Sequence, residues 1–245
     1  MERRYELHAG IRRCARCRGG TDGNIQEDEG RLGVNPFDYK EPASEVVVEM
    51  KISKSRFLGH VRICRTEDDV RMKLREVCDL HKQATHNCWA YRIGEDSYRE
   101  YFSDDGEPAG TAGKPILGAI ARLDLSNTLI VVTRYFGGIK LGVRGLIEAY
   151  GSTATDALNA SGVSERTIRN MYRVVAPYDM VKTLHRLVHS HGAAEEDVLF
   201  EYGERVGITC SLPRSSGNQF ENALEELLNM GRIFSWNGGN EIGKP

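Results

Sequence analysis

Three carboxylates fall within four residues of the stretch Ser103-Asp104-Asp105-Gly106-Glu107-Pro108-Ala109-Gly110-Thr111-Ala112-Gly113-Lys114, with glycines and a lysine after them. Like charges this close repel, so they need a cation, backbone N–H groups or water as compensation. Asp104, Asp105 and Glu107 could hold Mg²⁺, which commonly uses one or two carboxylates together with a substrate phosphate. Gly110, Thr111 and Lys114 lead into a predicted helix, where consecutive N–H groups can cradle an anion. The plainer reading is a tight surface turn in which Asp104 and Asp105 cap their own backbone.

A second glycine-rich loop, Thr133-Arg134-Tyr135-Phe136-Gly137-Gly138-Ile139-Lys140-Leu141-Gly142-Val143-Arg144-Gly145, leaves a β-branched run and enters a helix. Its spacing fits neither a Walker A loop nor a dinucleotide fingerprint. Arg134, Lys140 and Arg144 offer cations for phosphates, Gly137 and Gly138 allow close backbone approach, and Tyr135 offers a ring for stacking a base. Phe136 reads as a core residue. Lys54 and Arg56, in an upstream turn, add two cations.

Other candidates are weaker. His86 opens a strand and could serve as acid or base, but no third group orients a His86–Cys88 pair. His185 and His189 stand at i, i+4 with His191 next. No carboxylate completes an HExxH pattern, so they read as a polar helix face. Cys14-Ala-Arg-Cys17 is a lone CxxC, and even with His8 it lacks a fourth zinc ligand.

These residues need elements to position them. Val46–Ile52 and 57–64 alternate as a hairpin, and Thr66 caps a helix with Asp68 and Asp69 in its favourable first turn. Strands follow at 88–93 and 98–102, then a helix at 115–123 with Pro115 in its first turn. Leu129 to Thr133 is a continuous apolar and β-branched run, hence a buried central strand. A helix then covers 143–160. From about 163 the pattern reads βαββαβ, the ferredoxin-like order, to residue 236, with a loose tail at 237–245. Residues 1–42 hold no lasting period, and order is expected from about Glu45. The expected division is therefore an extension at 1–42, a first domain at 43–162, a second at 163–236 and the tail.

The formal net charge of −2 is spread evenly, with 8 basic and 8 acidic side chains in residues 1–42. No segment is globally basic, so nucleic-acid binding would rest on a local patch. No run of about 18 apolar residues exists, so no membrane partner is expected. The start has no apolar h-region. The expected location is cytoplasmic, with Cys64, Cys78, Cys88 and Cys210 as reduced core thiols.

HNCWAYR (86–92), SDDGEPAGTAGKPIL (103–117), VVTRYFGGIKLG (131–142) and Lys54-Ser55-Arg56-Phe57 closely resemble the signature blocks of the YigZ/Impact family. The resemblance implies an α/β (α+β) chain. Its first domain would be similar to the sheet-and-helix domain of a ribosomal protein and of translation factors. A ferredoxin-like βαββαβ domain would follow, and the role would be in translation control. The family pattern LGxGGLxRAYG is LGVRGLIEAYG here, with Arg144 for a glycine and Glu148 for an arginine.

Two functions of different class follow. One is a translation-associated binding protein that contacts RNA, the ribosome or translation factors through Lys54, Arg56, Gly110, Thr111, Lys114, Arg134, Tyr135, Gly137, Gly138, Lys140 and Arg144, with no cofactor. The other is an enzyme acting on a phosphorylated or acyl substrate, with Mg²⁺ on Asp104, Asp105 and Glu107, or with His86 as acid or base. No activated nucleophile is identifiable, which favours binding. Both need the two glycine-rich loops to meet on one exposed face and line one groove.

Overall fold

The computed structural model describes residues 37–95 and 98–239. Most of the extension, its CxxC and the end of the tail lie outside the described residues. The chain forms two compact units, one spanning Tyr39–Arg166 and the other running from Thr167 onward together with residues 37–38.

The first unit contains β1 (Asp38–Pro42), β2 (Val46–Ile52), β3 (Ser55–Ile63), α1 (Glu67–Leu80), β4 (His86–Ile93), β5 (Arg99–Ser103), α2 (Gly113–Arg122), β6 (Thr128–Tyr135), α3 (Gly142–Ser161) and β7 (Val163–Thr167). Five strands make an antiparallel sheet in the order β2-β3-β6-β4-β5. β6 sits at its centre, as its apolar run predicts. That run is continuous because both faces are covered. Ile130 and Val132 pack with residues of α2 and α3, while Leu129 and Val131 pack with Val70, Leu74 and Val77 of α1. Thr66 caps α1 as expected: its Oγ1 accepts the Asp69 N–H at 3.1 Å, and Asp69 returns the bond to the Thr66 N–H at 3.0 Å.

Order begins before Glu45. β1 pairs with β7, and Glu41 is buried. Its carboxylate accepts from Arg65, Asn127 and Arg166. These partners lie 24 to 125 residues away, out of reach of any local pattern.

The second unit contains β8 (Arg169–Ala176), α4 (Val181–Ser190), β9 (Val198–Tyr202), β10 (Val206–Pro213), α5 (Gly217–Asn229) and β11 (Ser235–Gly238). Its antiparallel sheet runs β11-β8-β10-β9, the ferredoxin-like order. Tyr172, Val174, Ile208 and Cys210 face Leu184, Val188, Phe220 and Leu224 of the helices. The alternate residues Met171 and Leu199 are exposed, the pattern of a sheet covered on one face. Cys64, Cys78, Cys88 and Cys210 are buried, and none forms a disulfide among the described residues.

Candidate functional site

Register places the candidates before any side chain is considered. Phe57, Arg134 and His86 stand opposite one another across β3, β6 and β4. They therefore share the face covered by α2 and α3. Arg56 and Tyr135 form the next row and point to the α1 face. Neighbouring cations and rings of the second loop are thus divided between two faces.

The two loops do meet, through a buried pair. Glu107 Oε1 accepts from Arg134 Nη1 at 2.5 Å and from the Tyr150 hydroxyl at 2.9 Å. His86 Nε2 lies 3.9 Å from the same oxygen. Arg134 is 5% exposed, sits against the Phe57 and Phe136 rings, and reaches Ser55 Oγ at 3.5 Å through Nη2. Expected as a phosphate contact, Arg134 is instead a tie between loops, closed off by the ring of Phe57 and its partner carboxylate. Its Nε is buried without a hydrogen-bond partner among the described residues.

The first loop is an anion nest that holds its own anion. Asp104 Oδ2 accepts the Gly110 N–H at 2.8 Å, and Oδ1 accepts those of Ala112 and Gly113 at 2.9 and 2.8 Å. Asp105 lies in the left-handed region at φ 40°, and its carboxylate accepts the Asn87 N–H at 2.7 Å. The Asp105 carbonyl accepts from His86 Nδ1 at 2.7 Å, which places a hydrogen on that nitrogen. The buried Thr111 donates its hydroxyl to the Pro108 carbonyl. Gly110 and Thr111, expected to hold a ligand, are therefore spent on the loop itself, whereas Lys114 is exposed.

The same geometry divides the Mg²⁺ trio. Asp104, Asp105 and Glu107 bind different groups, and they do not gather within 4.8 Å of one another among the described residues. Burial pushes the Cys88 thiol up, and its Sγ donates to the Asp104 carbonyl. Cys88 is a packed thiol rather than a nucleophile.

The second loop departs from expectation at its aromatics. Tyr135 is half-buried, its hydroxyl is 2.9 Å from His81 Nδ1, and the Arg56 guanidinium lies 5.1 Å from its ring centre. Arg56 also pairs with Glu49 at 3.6 Å. Phe136, read as core, is 45% exposed, with Ile139 and Val143 exposed beside it in sequence. Lys54, Lys140 and Arg144 are exposed and have no ion-pair partner among the described residues. Gly137 is locked against the Lys54 backbone, and its N–H reaches Ser55 Oγ at 3.3 Å. Gly138, at φ 87°, has open space around it. No side chain caps the start of α3, where Arg144 stands exposed one turn before Glu148.

Near Tyr135 lies a feature with no counterpart in the sequence reading. The ring of buried His60 is 4.9 Å from that of His81, and neither His60 nitrogen has a hydrogen-bond partner among the described residues. Burial, with His81 and Arg62 adding to it, lowers the His60 pKa to about 3. The unfolded chain thus binds a proton near pH 6.5 that the folded chain refuses until about pH 3. Stability falls as pH drops through that window, by about 3 kcal/mol at pH 4 from His60 alone. His60→Leu should flatten the dependence of the urea midpoint on pH between 4 and 6.5. Equal slopes in both proteins would show that His60 is protonated at little cost.

A sequence profile of the Impact N-terminal domain matches residues 53–158. IMPACT family member YvyE of Bacillus subtilis (strain 168) is 38% identical over 194 residues, which cover 79% of this chain and 87% of that protein. IMPACT family member YigZ of Escherichia coli (strain K12) is 32% identical over 189 residues, 76% of this chain and 91% of that protein. A crystal structure described as that of a hypothetical protein aligns at 30% identity with a TM-score of 0.61, covering 84% of this chain and 99% of the other. The class is a mixed α/β chain in which the Impact N-terminal domain matched at residues 53–158 precedes a second unit of ferredoxin-like strand order. The chain belongs to the IMPACT family.

Proposed function

We propose that this chain is a cytoplasmic, translation-associated binding protein whose first unit contacts RNA or the ribosome. The contact surface is the Lys54 turn and the loop from Phe136 to Arg144, with Arg134 and Glu107 as its internal support. One observation carries this reading: exposed Lys54, Lys140 and Arg144, which have no ion-pair partner among the described residues, and the exposed ring of Phe136 lie on the Lys54 turn and the segment after β6, which meet where Gly137 packs against the Lys54 backbone. Most arginines of this unit are already neutralised, for example Arg62, Arg71, Arg92, Arg99 and Arg166. Unpaired cations can neutralise phosphates, and Phe136 can stack a base. The uncapped start of α3 adds backbone N–H groups to the same surface.

The test is a salt-series titration of single-stranded RNA and of ribosomes with the full chain. Lys54→Ala, Lys140→Ala and Arg144→Ala together should weaken binding by at least about tenfold and flatten the log–log salt slope by about 2. Phe136→Ala should cost roughly tenfold with the slope unchanged. A triple variant that binds both RNA and ribosomes like the parent rules the proposal out.

A further inference from the structure

We propose that the second unit carries a zinc-class metal site formed by His185, His189 and Glu195. The two histidines stand one turn apart near the end of α4. Gly192, at φ 91°, reverses the chain so that the turn Glu195–Asp197 comes back beside them. His185 Nε2 and His189 Nε2 are 3.3 Å apart. Glu195 Oε2 is 3.2 Å from His189 Nε2, and Oε1 is 3.8 Å from His185 Nε2. Ligand atoms about 2.0–2.1 Å from a tetrahedral Zn²⁺ lie about 3.3–3.4 Å from one another. The three side chains already stand near that spacing. The trio is the one such group of His, Cys, Asp or Glu among the described residues.

The tautomer agrees. His189 Nδ1 is 2.9 Å from the Ala193 carbonyl. A carbonyl only accepts, so Nδ1 carries the hydrogen, which leaves Nε2, the nitrogen facing the other two ligands, as the one that would bind the metal. A backbone carbonyl behind the ring is a common way to orient a metal-binding histidine. His185 stacks on Phe200, with ring centres 5.9 Å apart. The C-terminal end of α4 adds its partial negative charge near a bound cation. Zinc would clasp the end of α4 to the turn before β9. Its fourth position would be open to water or an anion, beside a 640 Å³ groove lined by Lys182, Arg186, Phe200 and Tyr202.

Glu195 escaped the sequence reading because it follows His189 by six residues across a chain reversal, not within one helix. The rival zinc ligands are Cys14 and Cys17, so the test separates the two. The full chain is titrated with Zn²⁺ in competition with a chromogenic chelator, and with Co²⁺ followed by its visible absorption. His185→Asn with His189→Asn should lose one metal equivalent, or weaken it by more than about 100-fold, and Glu195→Gln should weaken it by about tenfold. His191→Asn and Cys14→Ser with Cys17→Ser should leave that equivalent in place. The proposal fails if the double-histidine variant binds as the parent does, if only the cysteine variant loses metal, or if the parent binds none.

Discussion

Glu107→Ala should destabilise the first unit by about 3–5 kcal/mol, a loss read as a large drop in the urea midpoint. The carboxylate accepts from Arg134 and from the buried Tyr150 hydroxyl. Removing it leaves a guanidinium that is 5% exposed and whose Nε already lacks a partner among the described residues. An uncompensated buried charge is among the costliest single changes. The paired replacement Arg134→Met with Glu107→Leu removes both charges at similar volume and should recover most of that loss, because the ions' desolvation cost disappears with them. The pair also distinguishes two roles for Arg134. If it only ties the loops, the folded double variant keeps the parent's RNA affinity and salt slope. If it contacts phosphate, the slope falls by about 0.7–0.9. A cost of less than 1 kcal/mol for Glu107→Ala would show that water reaches the pair.

Sequence patterns report what a residue prefers, not which distant group it meets. The apolar run at Leu129, the Thr66 cap and the βαββαβ order were legible because hydrophobic period and local capping specify them. The IMPACT signature blocks were legible as a resemblance, and the glycine-rich loops do adjoin. What could not be read was how the loops spend their charges. Asp104 occupies the nest its own loop builds, while Glu107 crosses 27 residues to Arg134. Composition is identical whether such a nest binds a phosphate or its own carboxylate. Phe136 looked like core because it is aromatic and follows a buried strand. It is exposed because β6 ends at Tyr135 and the chain turns away at Gly137. The signal for β1 was weaker still, since Glu41 is a charged residue buried by arginines from two distant segments.

Gly137→Ala and Gly138→Ala should differ sharply, in the order opposite to their backbone angles. Gly138 has the left-handed φ of 87°, yet an added Cβ there meets nothing within 4 Å. Its replacement costs only the local conformational strain, about 1–2 kcal/mol. At Gly137 a Cβ would collide with the carbonyl of Lys54 and come within 2.7 Å of the Ser55 nitrogen. Those atoms are backbone at the β2–β3 turn, where Ser53 and Lys54 already hold positive φ at 45° and 67°. They cannot swing aside as a side chain can. The turn and the loop must separate, which breaks the Gly137 N–H bond to Ser55 Oγ and opens water's route to Arg134. Gly137→Ala should therefore cost about 3 kcal/mol or more in unfolding free energy, since the clash disrupts backbone packing and exposes the buried pair together. It should also weaken RNA binding beyond any single lysine variant, because Lys54 is carried away from Lys140 and Arg144 as a unit. Equal midpoints for the two alanine variants would mean that the turn is not held against the loop. The cations would then lack the rigid support that a phosphate-binding surface on these two segments requires.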